Sequence, residues 1–388
     1  LYVVSTDTSA WLPTFVEFIA NNWALFGIVA TLGLLISYPW MILRKYVRVS
    51  LNLIDDVSPP RASWSNGYKK PQGEQVSFIA FDGHRLSGTV IPGNPDRPKR
   101  GLVIFGHEFE SDQSSAGRNC HALLEAGYDV LTFDFRGHGL SASENGYKPR
   151  QFASDREQSD MLGAIAFAED YLAQQGRPAR VGLFGMSRGA CATVLGAKGV
   201  PCVKAIACDG LFSCDITMEY CMKKFACVFA KIRVVYENHP PATWQLLRWM
   251  LFLRCRRVFN CRFPLVRKTL PRLGRVPMLF IHGSRDTFVP VDQCMKLFRL
   301  ARGPKHAWVV DGAKHNQAVD VAPAEYGRRL VTFFDKYLSE LPPSGLARSS
   351  AVFDSFADTS KNQESEVLNG NGRGRSVSTR AKQSLQQG

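Results

Sequence analysis

The chain has 388 residues, 45% of them hydrophobic, which is enough for one large domain or two smaller ones with a sizeable core. Its formal charge of +14 favours anionic partners such as phospholipid head groups, yet no nucleic-acid-binding motif accompanies that charge, so nucleic acid is not expected as a partner. The ten cysteines form no C-x-x-C pair and none stands at zinc spacing to a histidine, so no metal site is expected and they read as free thiols in a reducing compartment.

Residues 1–22 form an N-terminal flank whose acidic groups are Asp7 and Glu17. From Trp23 to Leu43 no residue is charged. About twenty such residues in a helix cross a hydrocarbon layer of ~30 Å. Trp23 at one end and Tyr38 and Trp40 at the other suit the two interfaces, and Arg44, Lys45 and Arg48 follow at once. The charge pattern predicts a single-pass membrane anchor over 23–43 with the rest of the chain in the cytoplasm. A secretory leader is shorter and carries its positive charge in front, whereas here the charge follows. Residues 44–74 read as a linker, broken by Pro59-Pro60, Asn66-Gly67 and Lys69-Lys70-Pro71.

A β-hairpin is expected from Gln75 to Ile91, turning at Asp82-Gly83. Beyond it, apolar strands alternate with helices: strands at 102–105, 130–133, 181–184, 204–208, 278–281 and 307–310, and helices near 117–126, 155–174 and 324–338. This alternation predicts an α/β domain over 75–342, built on a mostly parallel sheet covered on both faces. In such a sheet the chemistry gathers at the C-terminal ends of the strands.

The alternation fails over 213–275, which holds Trp244, Trp249, Phe252, Phe259 and Phe263. Between 217 and 275 stand thirteen basic residues against two acidic ones, a net of +11. The stretch reads as a helical cap over the active face. Residues 343–388 turn to Ser, Gly, Asn, Gln and Arg and read as a disordered, inert tail.

One stretch carries chemistry. Val181 to Phe184 runs as a strand into Gly185-Met186-Ser187-Arg188-Gly189, and a helix follows. G-x-S-x-G between strand and helix is a nucleophile elbow: the tight turn lifts the serine above the sheet, and a Cβ at either flanking glycine would meet its neighbours. A serine hydroxyl is a poor nucleophile and needs a base steadied by an acid. His315 follows the strand ending at Val310, and Asp286 follows the strand ending at Ile281. Both therefore reach the catalytic end of the sheet, in the order Ser, Asp, His that accompanies the elbow. Asp209, after the strand ending at Cys208, is the rival acid. His306 lies at the wrong end of its strand, and His107 and His138 lie in turns with other tasks.

Together with Phe105-Gly106-His107 and the run Asp134-Phe135-Arg136-Gly137-His138-Gly139-Leu140-Ser141, these residues make the chain resemble the α/β-hydrolase superfamily over about 75–340. Within it, the likeness is to the serine-hydrolase branch of monoacylglycerol lipases and S33-type hydrolases. The resemblance implies an eight-stranded sheet with one antiparallel strand, and acyl transfer without metal or cofactor. It also implies an oxyanion hole built from the backbone N–H groups of Arg188 and Phe109. Relatives carry glycine after the histidine, whereas this chain has Glu108, which is expected to be neutralised by Arg188, Arg118 or Arg136. The expected activity is hydrolysis of a hydrophobic carboxylic ester at a membrane, with the basic cap resting on anionic lipid. A peptidase or amidase on the same triad and a non-catalytic binding protein are the alternatives.

Overall fold

The apolar and alternating stretches become eight strands in the computed structural model, which describes residues 16–18, 20–55, 72–109, 111–224, 226 and 240–339. They are β1 (Glu74–Ile79), β2 (Arg85–Ile91), β3 (Gly101–Gly106), β4 (Tyr128–Phe133), β5 (Val181–Met186), β6 (Val203–Asp209), β7 (Met278–Gly283) and β8 (Lys305–Val310). The main helices are α1 (Trp23–Asp55), α2 (His121–Ala126), α3 (Asp155–Gln174), α4 (Arg188–Gly196), α5 (Cys214–Lys224), α6 (Pro241–Val258), α7 (Val291–Leu300) and α8 (Pro323–Tyr337). The expected helix near 117–126 is interrupted at Cys120, which separates a turn over Ala116–Asn119 from α2.

The strands form one sheet in the order β1-β2-β4-β3-β5-β6-β7-β8. Only β2 runs against its neighbours β1 and β4; the pairs from β4 onward are parallel. Both faces are covered, which is why β3 and β5 are buried at every residue. Leu102, Ile104, Val181 and Leu183 pack into one apolar cluster, while Val103, Phe105, Phe184 and Met186 pack into a second on the opposite face. Strand order reverses at β3: the chain steps outward to β4, then crosses back to β5 on the other side. The loops after β3 and β5 are thereby neighbours at the C-terminal edge, where open α/β sheets hold their ligands.

The interruption between β6 and β7 is helical as expected, with α5 and α6 described and 225 and 227–239 outside the described residues. Trp244, Leu247, Leu251 and Cys255 form the buried stripe of α6 and join the first cluster. The tail at 343–388 also lies outside the described residues.

The linker expected from residue 44 is not found at its start. Helix α1 runs without a break to Asp55. Its first part exposes Trp23, Leu25, Phe26, Ile28, Val29, Leu32, Leu34, Leu35 and Ile36. Its last three turns bury Tyr46, Val47, Leu51 and Ile54 in the same cluster as the α6 stripe. Those four recur at a helical period, so one face stays apolar after the charges begin, and burying it against α6 favours helix over coil. Asp55 ties the end of α1 to Arg150 at 2.7 Å. Residues 56–71, where the linker's Pro and Gly signals stand, are outside the described residues. Helix α1 is long and apolar enough to cross a membrane.

Candidate active site

The elbow forms as the glycines require. Ser187 takes φ 51° and ψ −114°, a strained backbone for a residue with a side chain. A Cβ on Gly185 would lie 2.6 Å from Ala190 N, and one on Gly189 would lie 2.1 Å from Gly106 O and 2.5 Å from His107 O. The second glycine therefore seats the elbow directly on the backbone of the loop after β3. Ser187 N–H donates to Asp209 O at 2.7 Å, which fixes the turn from the β6 side.

The structure brings Ser187, His315 and Asp286 together. Ser187 Oγ lies 2.7 Å from His315 Nε2, and His315 Nδ1 lies 2.6 Å from Asp286 Oδ2. Asp286 is almost fully buried, and its Oδ1 accepts the N–H groups of Phe288 at 2.9 Å and Val289 at 2.8 Å. Burial alone would raise this carboxyl; the neighbouring His315 and His282 and the Val289 N–H outweigh it and hold Asp286 below the ordinary range. An ionised Asp286 requires the hydrogen of neutral His315 to sit on Nδ1, leaving the Nε2 lone pair facing the serine hydroxyl. Such a chain can take a proton from Ser187 as it attacks a carbonyl.

The residues 105–331 match the alpha/beta hydrolase family. The chain belongs to that family. Among similar proteins of this hydrolase, YqkD of Bacillus subtilis is 25% identical over 269 residues, spanning 68% of this chain and 80% of the relative. YfhR of Escherichia coli strain K12 is 23% identical over 275 residues, spanning 70% and 82%. Among solved structures, the Pyrococcus furiosus esterase Pf2001 superposes with a TM-score of 0.52 at 24% identity, covering 73% of this chain and 97% of that one. At that identity the likeness is one of fold.

The rival acid of this hydrolase does not reach the imidazole in the same way. Asp209 is buried and accepts a hydrogen bond from Tyr326 OH at 3.1 Å, and burial pushes it up to about 7. Its backbone carbonyl, not its carboxyl, serves the elbow. Gly210 beside it leaves room for the imidazole: a Cβ there would lie 3.0 Å from His315 Cε1.

The two residues expected to frame the oxyanion also come close to each other. Arg188 opens α4, so its N–H has no acceptor within the helix. Phe109 lies in the turn after β3, and its ring faces the Arg188 guanidinium at 5.4 Å. Of the three arginines expected to neutralise Glu108, two are engaged elsewhere, and Arg118 is the one whose charge acts on it. Arg136 is committed to Asp160, Asp82 and Glu144, and Arg188 to Glu157. Burial pushes the Glu108 carboxyl up; a hydroxyl hydrogen bond from Ser115 at 3.2 Å and the charge of Arg118 act against this.

The Asp134–Ser141 run proves to be scaffolding. Asp134 accepts Gln113 N–H at 2.7 Å and Leu140 N–H at 2.8 Å, and Ser141 Oγ donates back to Asp134 O at 2.6 Å. Arg136, 1% exposed, draws the loop onto α3 through Asp160. Sequence reading missed Glu157. It stands three residues after Ser154, the spacing of a capping box, and its Oε2 does accept Ser154 N–H at 2.7 Å. Its other oxygen accepts from Arg188 and from Tyr147 OH, a task that no local pattern announces.

Among the described residues, no group of three His, Cys, Asp or Glu side chains is placed to hold a metal ion. The nine described cysteines are unpaired, and eight are buried; burial raises thiols such as Cys191, which lies at about 12.

Proposed function

We propose that the protein is a serine hydrolase of carboxylic esters. Ser187 attacks the ester carbonyl while His315 takes its proton, and Asp286 steadies the imidazolium that forms. His315 then returns the proton to the departing alcohol, leaving an acyl-enzyme. Water, deprotonated by the same imidazole, releases the acid. The N–H groups of Arg188 and Phe109 hold the oxyanion; one such donor contributes about 2.7–4 kcal/mol to transition-state stabilisation. The observation that carries this reading is the continuous relay of 2.7 Å and 2.6 Å from hydroxyl to carboxylate.

A hydrophobic acyl group suits the surroundings. Half-exposed Phe288 lies 5.2 Å from the His315 ring and leads through Phe212 and Phe152 to Phe263 of the cap. Helix α1 serves as a membrane anchor, with the catalytic body on the cytoplasmic side and the basic cap near anionic lipid. Each Lys or Arg at such a surface contributes roughly 1 kcal/mol. Because α1 packs on α6, the anchor is continuous with the cap and acts as a stiff arm.

A fluorophosphonate probe tests the core of the reading. Labelling of the wild type and its loss in Ser187→Ala are expected; equal labelling of both sinks the mechanism, and no labelling of either points to a binding protein. Faster turnover of p-nitrophenyl esters than of aminoacyl anilides is expected, and the reverse order makes it an amidase. Sedimentation with phosphatidylserine vesicles that is indifferent to salt and to anionic lipid would remove the cap contact.

A further inference from the structure

Nothing in the family pattern explains how a loop with Glu108 in place of glycine keeps its oxyanion peptide in one orientation. The neighbouring imidazole supplies an answer. His107 follows β3 and is fully buried. Burial, aided by the charge of Arg188, lowers its basicity to about 4, so the ring is neutral near pH 7 and carries a single N–H. Its Nε2 lies 3.2 Å from Phe135 N, whose N–H can only donate. The ring hydrogen must therefore sit on Nδ1, which lies 2.6 Å from Glu108 O and donates to it.

That acceptor is one end of the peptide whose other end is the Phe109 N–H. The described chain has no cis peptide bond, so the C=O of Glu108 and the N–H of Phe109 point in opposite directions across a rigid plane. Holding the carbonyl fixes the direction of the N–H. We propose that His107 is a positioning residue that turns the Glu108–Phe109 peptide so that its N–H faces the oxyanion, and that this grip replaces the conformational role of glycine at position 108. The proposal rests on the reading of Phe109 N–H as an oxyanion donor.

Three further contacts confine the loop around this peptide. Gly106 and His107 lie with their carbonyls against Gly189. The Phe109 ring packs edge-on against His138 with centroids 5.8 Å apart, and it faces Arg188. With both flanks pinned, rotation of the 108–109 plane is the freedom left, and the imidazole removes it. A hydrogen bond accepted by a peptide carbonyl also polarises the N–H across the same amide, making it a stronger donor.

Two variants of equal polarity separate aiming from folding. Asparagine places its amide N–H near the position of Nδ1, whereas glutamine places it near Nε2, out of reach of Glu108 O. His107→Asn should keep kcat within about fivefold of wild type, while His107→Gln should lose about a hundredfold in kcat with little change in KM, the loss expected for an oxyanion donor turned aside. Affinity for a trifluoromethyl ketone, which forms a tetrahedral adduct on serine, should fall in parallel with kcat/KM. Equal kcat for the two variants overturns the proposal, as does a fall in KM affinity alone. Phe109→Pro, which deletes the N–H itself, tells the two levels apart. A folded Phe109→Pro with wild-type kcat removes Phe109 from the oxyanion hole and the proposal with it. A hundredfold loss in Phe109→Pro with none in His107→Gln leaves the donor in place and sinks only the role of His107.

Discussion

Glu157 of α3 and Arg188 of α4 form an ion pair in which both side chains are fully buried. Arg188 also meets His138 Nε2 at 3.2 Å and faces the rings of Phe109 and Phe135. The residue after the nucleophile thus ties the elbow, the loop after β3, the turn after β4 and helix α3 to one buried charge pair. Removing one partner strands the other charge. Glu157→Gln or Arg188→Met should each lower stability by about 3–5 kcal/mol, while Arg188→Met combined with Glu157→Met should recover most of that loss. Urea unfolding of the three variants measures it; single variants as stable as wild type would show that the pair contributes nothing to the fold.

The choice between the two acids has a direct kinetic test. Asp286 bonds the imidazole, whereas Asp209 bonds Tyr326. Asp286→Asn should lower kcat by about 10⁴-fold, because the imidazole loses the partner that fixes its tautomer. Asp209→Asn keeps a group that can accept from Tyr326 and should lower kcat less than about tenfold. Ester hydrolysis by the two variants decides between them, and the opposite ranking would move the acid to β6.

The docked end of α1 belongs to the fold of the hydrolase domain. A chain beginning at Ile42 keeps the buried stripe of Tyr46, Val47, Leu51 and Ile54, while one beginning after Asp55 exposes the α6 surface it covers. Burying an aliphatic or aromatic side chain contributes about 1.5–3 kcal/mol each, so the shorter chain should melt at a clearly lower temperature and the longer one should not. Leu51→Asp in the full chain should reproduce the loss. Thermal unfolding in detergent checks both, and equal melting temperatures would reduce α1 to a tether.

Acid should act on stability through His107. Its folded basicity lies at about 4, below the usual imidazole value, because burial and Arg188 disfavour the charged ring more than the bond to Glu108 O and the charges of Asp112 and Glu157 favour it. Below about pH 6.5 the unfolded chain takes up a proton that the folded chain refuses, so the wild type loses stability as pH falls from there towards 4. His107→Asn lacks this loss. The stability advantage of wild type over that variant should shrink by about 1.4 kcal/mol per pH unit between pH 6 and 4.5. Denaturant titrations at three pH values measure the gap; a constant gap means that the ring is not held neutral.

Much of the site could be read from residue order alone. The strand–turn–helix at 181–190 needs two glycines and a raised serine for purely local reasons, and Asp286 and His315 each follow a short apolar strand. A parallel sheet sends every such strand end to one edge, so three local signals far apart in sequence converge without any knowledge of their contacts. The cap was legible as a failure of alternation. What local pattern could not report was the partner of a polar side chain. Glu157 looks like a capping glutamate, and it is one, yet its second oxygen meets a guanidinium 31 positions away. Asp209 ends β6 and Asp286 lies in the loop after β7, so both sit at one edge of the sheet, and the packing of Tyr326 and the turn at Phe288–Val289 separate their tasks. Residues 44–55 carry both charge and an apolar stripe, and which of the two prevails depends on whether α6 is there to cover the stripe. Sequence determines period, turn chemistry and chain order because these are properties of neighbours along the backbone. Tertiary structure decides the pairing of buried charges, the choice of acid and the docking of α1, because each turns on which surfaces exclude water together.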